Sequence, residues 1–138
     1  MAEVRQFETG ATRDGDTNKH DPEGFLSPLV IHRFNEYMHV NRYQQDGAVR
    51  DSDNWQNGIP LSAYMKSMWR HFLDIWLHHR GYGQKAKEPL ESALCGLLFN
   101  VQGYLFEVLK KDLYRAGQPK IHESEDPSFP QSSRSGSS

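Results

Sequence analysis

Fifteen consecutive residues, Ser92 to Phe106, separate Glu91 from Glu107 without a single charge. A helix built from such a run cannot stand alone in water, because every face would meet solvent with little polar to offer. Asn100 and Gln102 interrupt the run, so it does not read as a membrane span. It belongs at the centre of a helical core or in an interface between subunits.

A chain of 138 residues suits one domain, and its hydrophobic content of 36% is unevenly spread. Residues 1–23 are charged and without period, which predicts an irregular N-terminal arm. Residues 118–138 are polar and of low complexity, which predicts a disordered tail. The helical domain is therefore expected over 24–117. A net charge of −2 argues against a general nucleic-acid binder. Cys95 is the single cysteine, so no intramolecular disulfide forms and a reducing compartment fits; mid-helix, it reads as a small buried apolar residue. No apolar leader opens the chain, and a cytoplasmic location is expected.

The expected fold is all-α, a small bundle of three main helices with a long ordered loop. Ser27-Pro28 starts the first helix, with Ser27 as N-cap, and Val30, Phe34, Tyr37 and Met38 carry it to about Arg42. Residues 44–60 form the loop, turned at Asp46-Gly47 and Asn57-Gly58, with Trp55 in a position to order it. The second helix spans Leu61 to His79; Leu61, Tyr64, Met65, Met68, Trp69, Phe72, Ile75 and Trp76 make one wide apolar face, and Lys66, Arg70, Asp74 and His78 climb the opposite side, with His71 on the flank. The third opens at Glu88-Pro89 and is stopped by Ala116-Gly117. Its stripe of Ser92, Gly96, Phe99 and Gly103 leaves a groove for a neighbouring backbone, and a homodimer or larger oligomer through that stripe is expected.

Two groups of residues carry candidate chemistry. His71, Asp74 and His78 end one helix where Glu88 and Glu91 begin the next, and a short connector makes the two helices antiparallel neighbours. Asp74, Glu88 and Glu91 suit a hard cation such as Mg²⁺, held by few protein oxygens plus substrate phosphates. Glu91 and His71 are the candidates for catalysis at such an ion. The plain alternatives are an Arg70–Asp74 surface pair, a helix-start charge at Glu88 and a structural histidine at 71. The second group is cationic and aromatic. Arg13, Lys19, Arg50 and Arg70 can grip phosphate, and Trp55 can stack on a base or simply pack the loop. No phosphate-binding Gly-rich loop, His-Glu-x-x-His, zinc cysteine pair or nucleophile elbow is present.

Several stretches together resemble a phage-borne family, the dATP/dGTP diphosphohydrolases. They are Gly10-Ala-Thr-Arg-Asp14, Gly24-Phe-Leu-Ser-Pro28, Arg33-Phe-Asn-Glu-Tyr-Met38, Arg50-Asp-Ser-Asp-Asn-Trp-Gln-Asn-Gly-Ile-Pro60, Tyr64-Met-Lys-Ser-Met-Trp-Arg-His-Phe72 and Glu91-Ser-Ala-Leu-Cys-Gly-Leu-Leu-Phe-Asn100. The likeness spans residues 8–110. It implies a helical protein in the cytoplasm of an infected bacterium that releases pyrophosphate from purine deoxynucleoside triphosphates with a divalent metal. It matches Arg13, Lys19, Asn54, Trp55, Arg70, His71, Glu91 and Asn100 to the family's polar positions. Two positions depart: Asn18-Lys19 replaces a Gly-Lys pair, and Ala93 and Gly96 stand where a His-x-x-His pair is found.

The expectation is thus a Mg²⁺-dependent pyrophosphohydrolase of purine nucleotides. Two alternatives stand beside it: a non-catalytic binder that sequesters a nucleotide signal, favoured by the missing histidine pair, and a helical interaction protein without a ligand.

Overall fold

The structure is a computed structural model and describes residues 3–16 and 18–118. It is all-α apart from one short hairpin. Strands β1 (Val4–Gln6) and β2 (Thr12–Asp14) pair antiparallel with Arg5 opposite Arg13. Gly10, at a φ of 86°, sits in the connection between them. The arm expected to be irregular is therefore a hairpin in part: a glycine that reads as a breaker here serves a turn. The expected tail beyond residue 118 lies outside the described residues.

A single turn, α1 (Pro22–Phe25), is capped by Asp21, which accepts from the Gly24 amide at 3.1 Å. Helix α2 (Pro28–Val40) starts as the sequence predicts, with the Ser27 hydroxyl accepting from the Val30 amide at 3.3 Å. The chain then doubles back at Asp46-Gly47, where the Asp46 carboxylate accepts from the Ala48 amide at 3.0 Å and Gly47 takes a φ of 84°. A 3₁₀ turn at Asn54–Asn57 leads into α3 (Leu61–His79). A tight connection containing a second 3₁₀ turn, Gly83–Lys85, joins α3 to α4 (Leu90–Ala116). Pro89 occupies the cap of α4, so the helix begins two residues after Glu88.

Packing is dominated by α3 against α4, with α2 crossing the first half of α4. Which face of α3 is buried departs from expectation. Tyr64 and Asp74 are buried and His71 and His78 half-buried, while Met65, Trp69, Phe72 and Trp76 are exposed. The reason lies on α4. Gly96 and Gly103 carry no side chains, and the rings of His71 and Tyr64 settle directly over them. A Cβ at either glycine would overlap the ring above it. The stripe expected to meet a second copy is filled from within the same chain. The line of α3 that enters the core runs along one edge of the expected apolar face, at Tyr64, and takes in His71 from the flank and Asp74, which was expected to point away.

Tyr64 is 1% exposed, and its hydroxyl has no hydrogen-bond partner among the described residues. Tyr64→Phe is expected to leave stability unchanged or raise it by about 1 kcal/mol, since a buried hydroxyl without a partner costs desolvation and returns nothing. Burial, followed by the Glu107 carboxylate, holds the Tyr64 phenol above its ordinary value of 10.0. Below that value folded and unfolded chains both keep the proton, so stability does not change with this group. Above it the unfolded chain loses the proton first, and the folded state weakens as pH rises toward the raised value. Thermal melts of wild type and Tyr64→Phe on either side of pH 10 check both points, with a smaller alkaline loss expected in the variant.

Candidate functional site

A cavity of about 420 Å³ opens between the second half of α2, the 41–59 loop, α3 and α4. That is the size range of small-molecule sites. The Asp46-Gly47 turn builds its cationic wall. Because the chain reverses there, Arg42 and Arg50 come to lie side by side across a short hairpin, with Tyr43 bridged to Val49. Arg42 Nε donates to the Arg50 carbonyl at 2.7 Å, and Arg50 Nη2 donates to the Asn41 carbonyl at 2.6 Å. Both arginines line the cavity, and each guanidinium has further N–H donors beyond these bonds.

Trp55 supplies the aromatic wall. Its ring meets Phe99 edge-on at 5.9 Å and Phe106 at 5.0 Å, which pins the 3₁₀ turn to α4. Of the two readings of Trp55, the packing of the loop is the one seen; the residue also borders the cavity. Asn100, 5% exposed, lines the cavity and donates to the Gly96 carbonyl at 2.7 Å. Asn35, Asn41 and Asn54 add further amides. Tyr37 keeps its proton, because burial and then the nearby Glu88 carboxylate raise its phenol above the usual value.

His71 closes the floor, seated on Gly96. Its Nδ1 lies 3.1 Å from Glu88 Oε2, a contact in which the imidazole donates. With Nδ1 donating, a neutral ring carries its lone pair on Nε2, the arrangement by which a carboxylate orients a histidine base. His78 Nε2 donates to the Glu88 carbonyl at 2.8 Å and clamps the start of α4 to the end of α3.

Of the residues expected at the site, Arg50, Asn54, Trp55, His71 and Asn100 come together around one cavity. The others do not. Arg13 lies on β2 and Lys19 just beyond it; both are exposed, and neither lines the cavity. Arg70 is exposed on α3, outside the lining. The three carboxylates expected to hold Mg²⁺ are each engaged elsewhere. Glu88 meets His71, Asp74 accepts from the Lys87 amide at 3.2 Å, and Glu91 pairs with Arg33 at 3.5 Å on the surface. No three His, Cys, Asp or Glu side chains among the described residues are grouped to hold a metal ion. A protein-built carboxylate cage is therefore not assembled from these residues, and Glu91 stands outside the cavity.

Arg42, Asn35, Asn41, Tyr37 and Asp51 are cavity residues that sequence reasoning missed. A signal for Arg42 was present. An Asp-Gly turn midway between two arginines eight residues apart brings them together once the turn closes.

Cys95 is 8% exposed, and burial pushes its thiol up, with Arg33 opposing and Glu91 adding to the effect. Its alkylation by iodoacetamide at pH 8 is expected to be at least tenfold slower in the folded chain than in urea, because little thiolate forms and access is poor. Quenched time points read by mass spectrometry test this.

No family model, curated protein or solved structure matches the chain.

Proposed function

We propose that this protein binds a purine nucleotide in the cavity between α2, the 41–59 loop, α3 and α4. One observation carries the reading: two arginines, a tryptophan and four asparagines line a single nucleotide-sized cavity. Each type answers one part of the ligand. Arg42 and Arg50 take the phosphates, where planar, delocalised charge suits bidentate contact. Trp55 offers a ring face or edge to the base. Asn54 and Asn100 meet the polar edge of the base, since amides both donate and accept. The preference for a purine deoxynucleotide comes from the motif resemblance.

The His71–Glu88 pair favours a second reading, in which the bound nucleotide is hydrolysed. With Glu88 on Nδ1, Nε2 can accept a proton from water attacking the α-phosphorus; the bond to the bridging oxygen breaks and a nucleoside monophosphate and pyrophosphate leave. Mg²⁺ is then expected to arrive on the nucleotide's own phosphates.

Thermal melts with dATP, dGTP, dCTP and dTTP, each with and without Mg²⁺, test binding. A purine nucleotide at a hundredfold excess over its Kd raises stability by about 2.7 kcal/mol. Absence of a shift with any nucleotide at millimolar concentration refutes the assignment. Chromatography of the same mixtures decides the second reading: equal amounts of monophosphate and pyrophosphate support hydrolysis, and unchanged triphosphate restricts the protein to binding.

A further inference from the structure

We infer that the outward side of α3 is a docking surface for an anionic lipid bilayer, on which the helix lies flat in the headgroup layer. Met65, Trp69, Phe72, Leu73 and Trp76 are between 43% and 67% exposed. At 100° per residue all five fall within about 60° of Trp69, whereas Tyr64, His71, Asp74 and His78 lie about 140–180° from it. The helix thus carries this apolar stripe directly opposite its buried line. Among the described residues α3 packs mainly against α4 and the Gly83–Lys85 turn, where Gly83 sits beside inward His78. The outward side is therefore convex and has no wall to form a groove. Such a shape suits a flat surface better than a peptide.

Charge selects the partner. From Leu61 to Lys87 the chain carries Lys66, Arg70, Arg80, Lys85 and Lys87 against one acid, Asp74, although the whole chain is net −2. Asp74 is buried and accepts from the Lys87 amide. None of the five cations pairs with a carboxylate among the described residues. Lys66 and Arg80 stand near the two ends of the apolar stripe, and the Arg80 guanidinium lies 6.0 Å from the Trp76 ring centre. Indoles favour the bilayer interface, and long cationic stems reach from an apolar edge to the headgroups. One basic group near an anionic leaflet strengthens attraction about fivefold, so three give on the order of a hundredfold.

The stripe suits acyl chains better than nucleic-acid bases. Trp69 and Phe72 meet edge-on at 6.4 Å, and Met65 and Leu73 add aliphatic surface between the rings. That makes a continuous apolar band rather than a row of open ring faces for stacking. The nucleotide cavity is left free, because the α3 residues that line it, Ser67 and His71, are turned about 160° from Trp69. The inference is independent of what that cavity binds.

Flotation of the full chain is expected to show binding to phosphatidylglycerol vesicles about tenfold or more tighter than to phosphatidylcholine vesicles, a difference that shrinks as salt is raised. Trp69→Ser with Trp76→Ser, and separately Lys66→Glu with Arg80→Glu, are each expected to weaken it by about tenfold or more. Their thermal melts should match wild type, since all four side chains are exposed. A second measurement keeps the test decisive if either variant does not fold. Brominated acyl chains are expected to quench bound wild type, and to quench Trp69→Phe with Trp76→Phe far less, because only Trp55 then remains. Equal binding to both lipids, bound wild type that is not quenched, or folded variants that bind like wild type overturn the inference. A chain that ignores vesicles also overturns it; sedimentation as a dimer or retention on polyglutamate then assigns the face to a second copy or to an acidic peptide.

Discussion

Gly103→Leu is expected to unfold this protein at ordinary temperatures. The ring of Tyr64 lies against the backbone of Gly103, so close that even a single Cβ would overlap it. Tyr64 is 1% exposed and has no direction in which to withdraw. Overpacking of that kind costs about 1–3 kcal/mol for a methyl group and more for an isobutyl chain. Native domains of this size have only about 5–15 kcal/mol in reserve. Gly103→Ala is the graded version. Alanine gains about 1 kcal/mol of helix propensity over glycine, so a net loss near 1–2 kcal/mol measures how far the overlap outweighs it. Gly117→Ala, at the end of α4, is the control. A Cβ there meets its nearest atoms at 3.7 Å, and no loss is expected. Urea melts followed by circular dichroism read all three. Combining Gly103→Ala with Tyr64→Ala should cost less than the sum of the two single losses, because the smaller side chain removes the clash. Equal stability of Gly103→Leu and wild type would show that α3 does not sit on α4 in this way.

The second large effect concerns the ligand. Arg50→Ala is expected to weaken nucleotide binding by about 10- to 100-fold, the range of one charge-assisted contact to phosphate. Arg50→Lys should recover less than half of that in free-energy terms, since it keeps the charge and loses the fork. Arg70→Ala should leave affinity unchanged, because Arg70 does not line the cavity. Titration of a fluorescent purine nucleotide against each variant separates these outcomes. Loss of binding in Arg70→Ala with retention in Arg50→Ala would move the phosphate site off this cavity. Arg50 also donates to the Asn41 carbonyl at 2.6 Å, so melts without nucleotide must accompany the titration to separate loop damage from lost contact.

The start of α2 was legible because its signals are local. Ser27 and Pro28 satisfy the first free amides through neighbours a few residues away. The span of α3 was legible for the same reason, bracketed by Pro60 and Gly81. Trp55 was legible as an anchor because a lone indole in a polar loop has few other uses. Sequence distance places Glu88, Glu91 and Asp74 together but says nothing of their competitors. Arg33 arrives from α2, more than fifty residues earlier, and engages Glu91. Lys87 presents a backbone amide to Asp74, and His71 takes Glu88.

The chain's own residues suffice to set a mostly helical protein, its capped boundaries and an indole-bearing loop, since those depend on contacts within one or two turns. The face by which α3 enters the core is a different matter. Hydrophobic periodicity points to a wide face from Tyr64 round to Trp69, and yet the two glycines of α4 admit only its Tyr64 edge together with His71 from the flank. Burial follows from which surfaces fit at close range, and fit is a property of two helices at once. For the same reason Arg42 and Arg50 become a phosphate-sized cationic wall only after the Asp46-Gly47 turn has closed beneath α2.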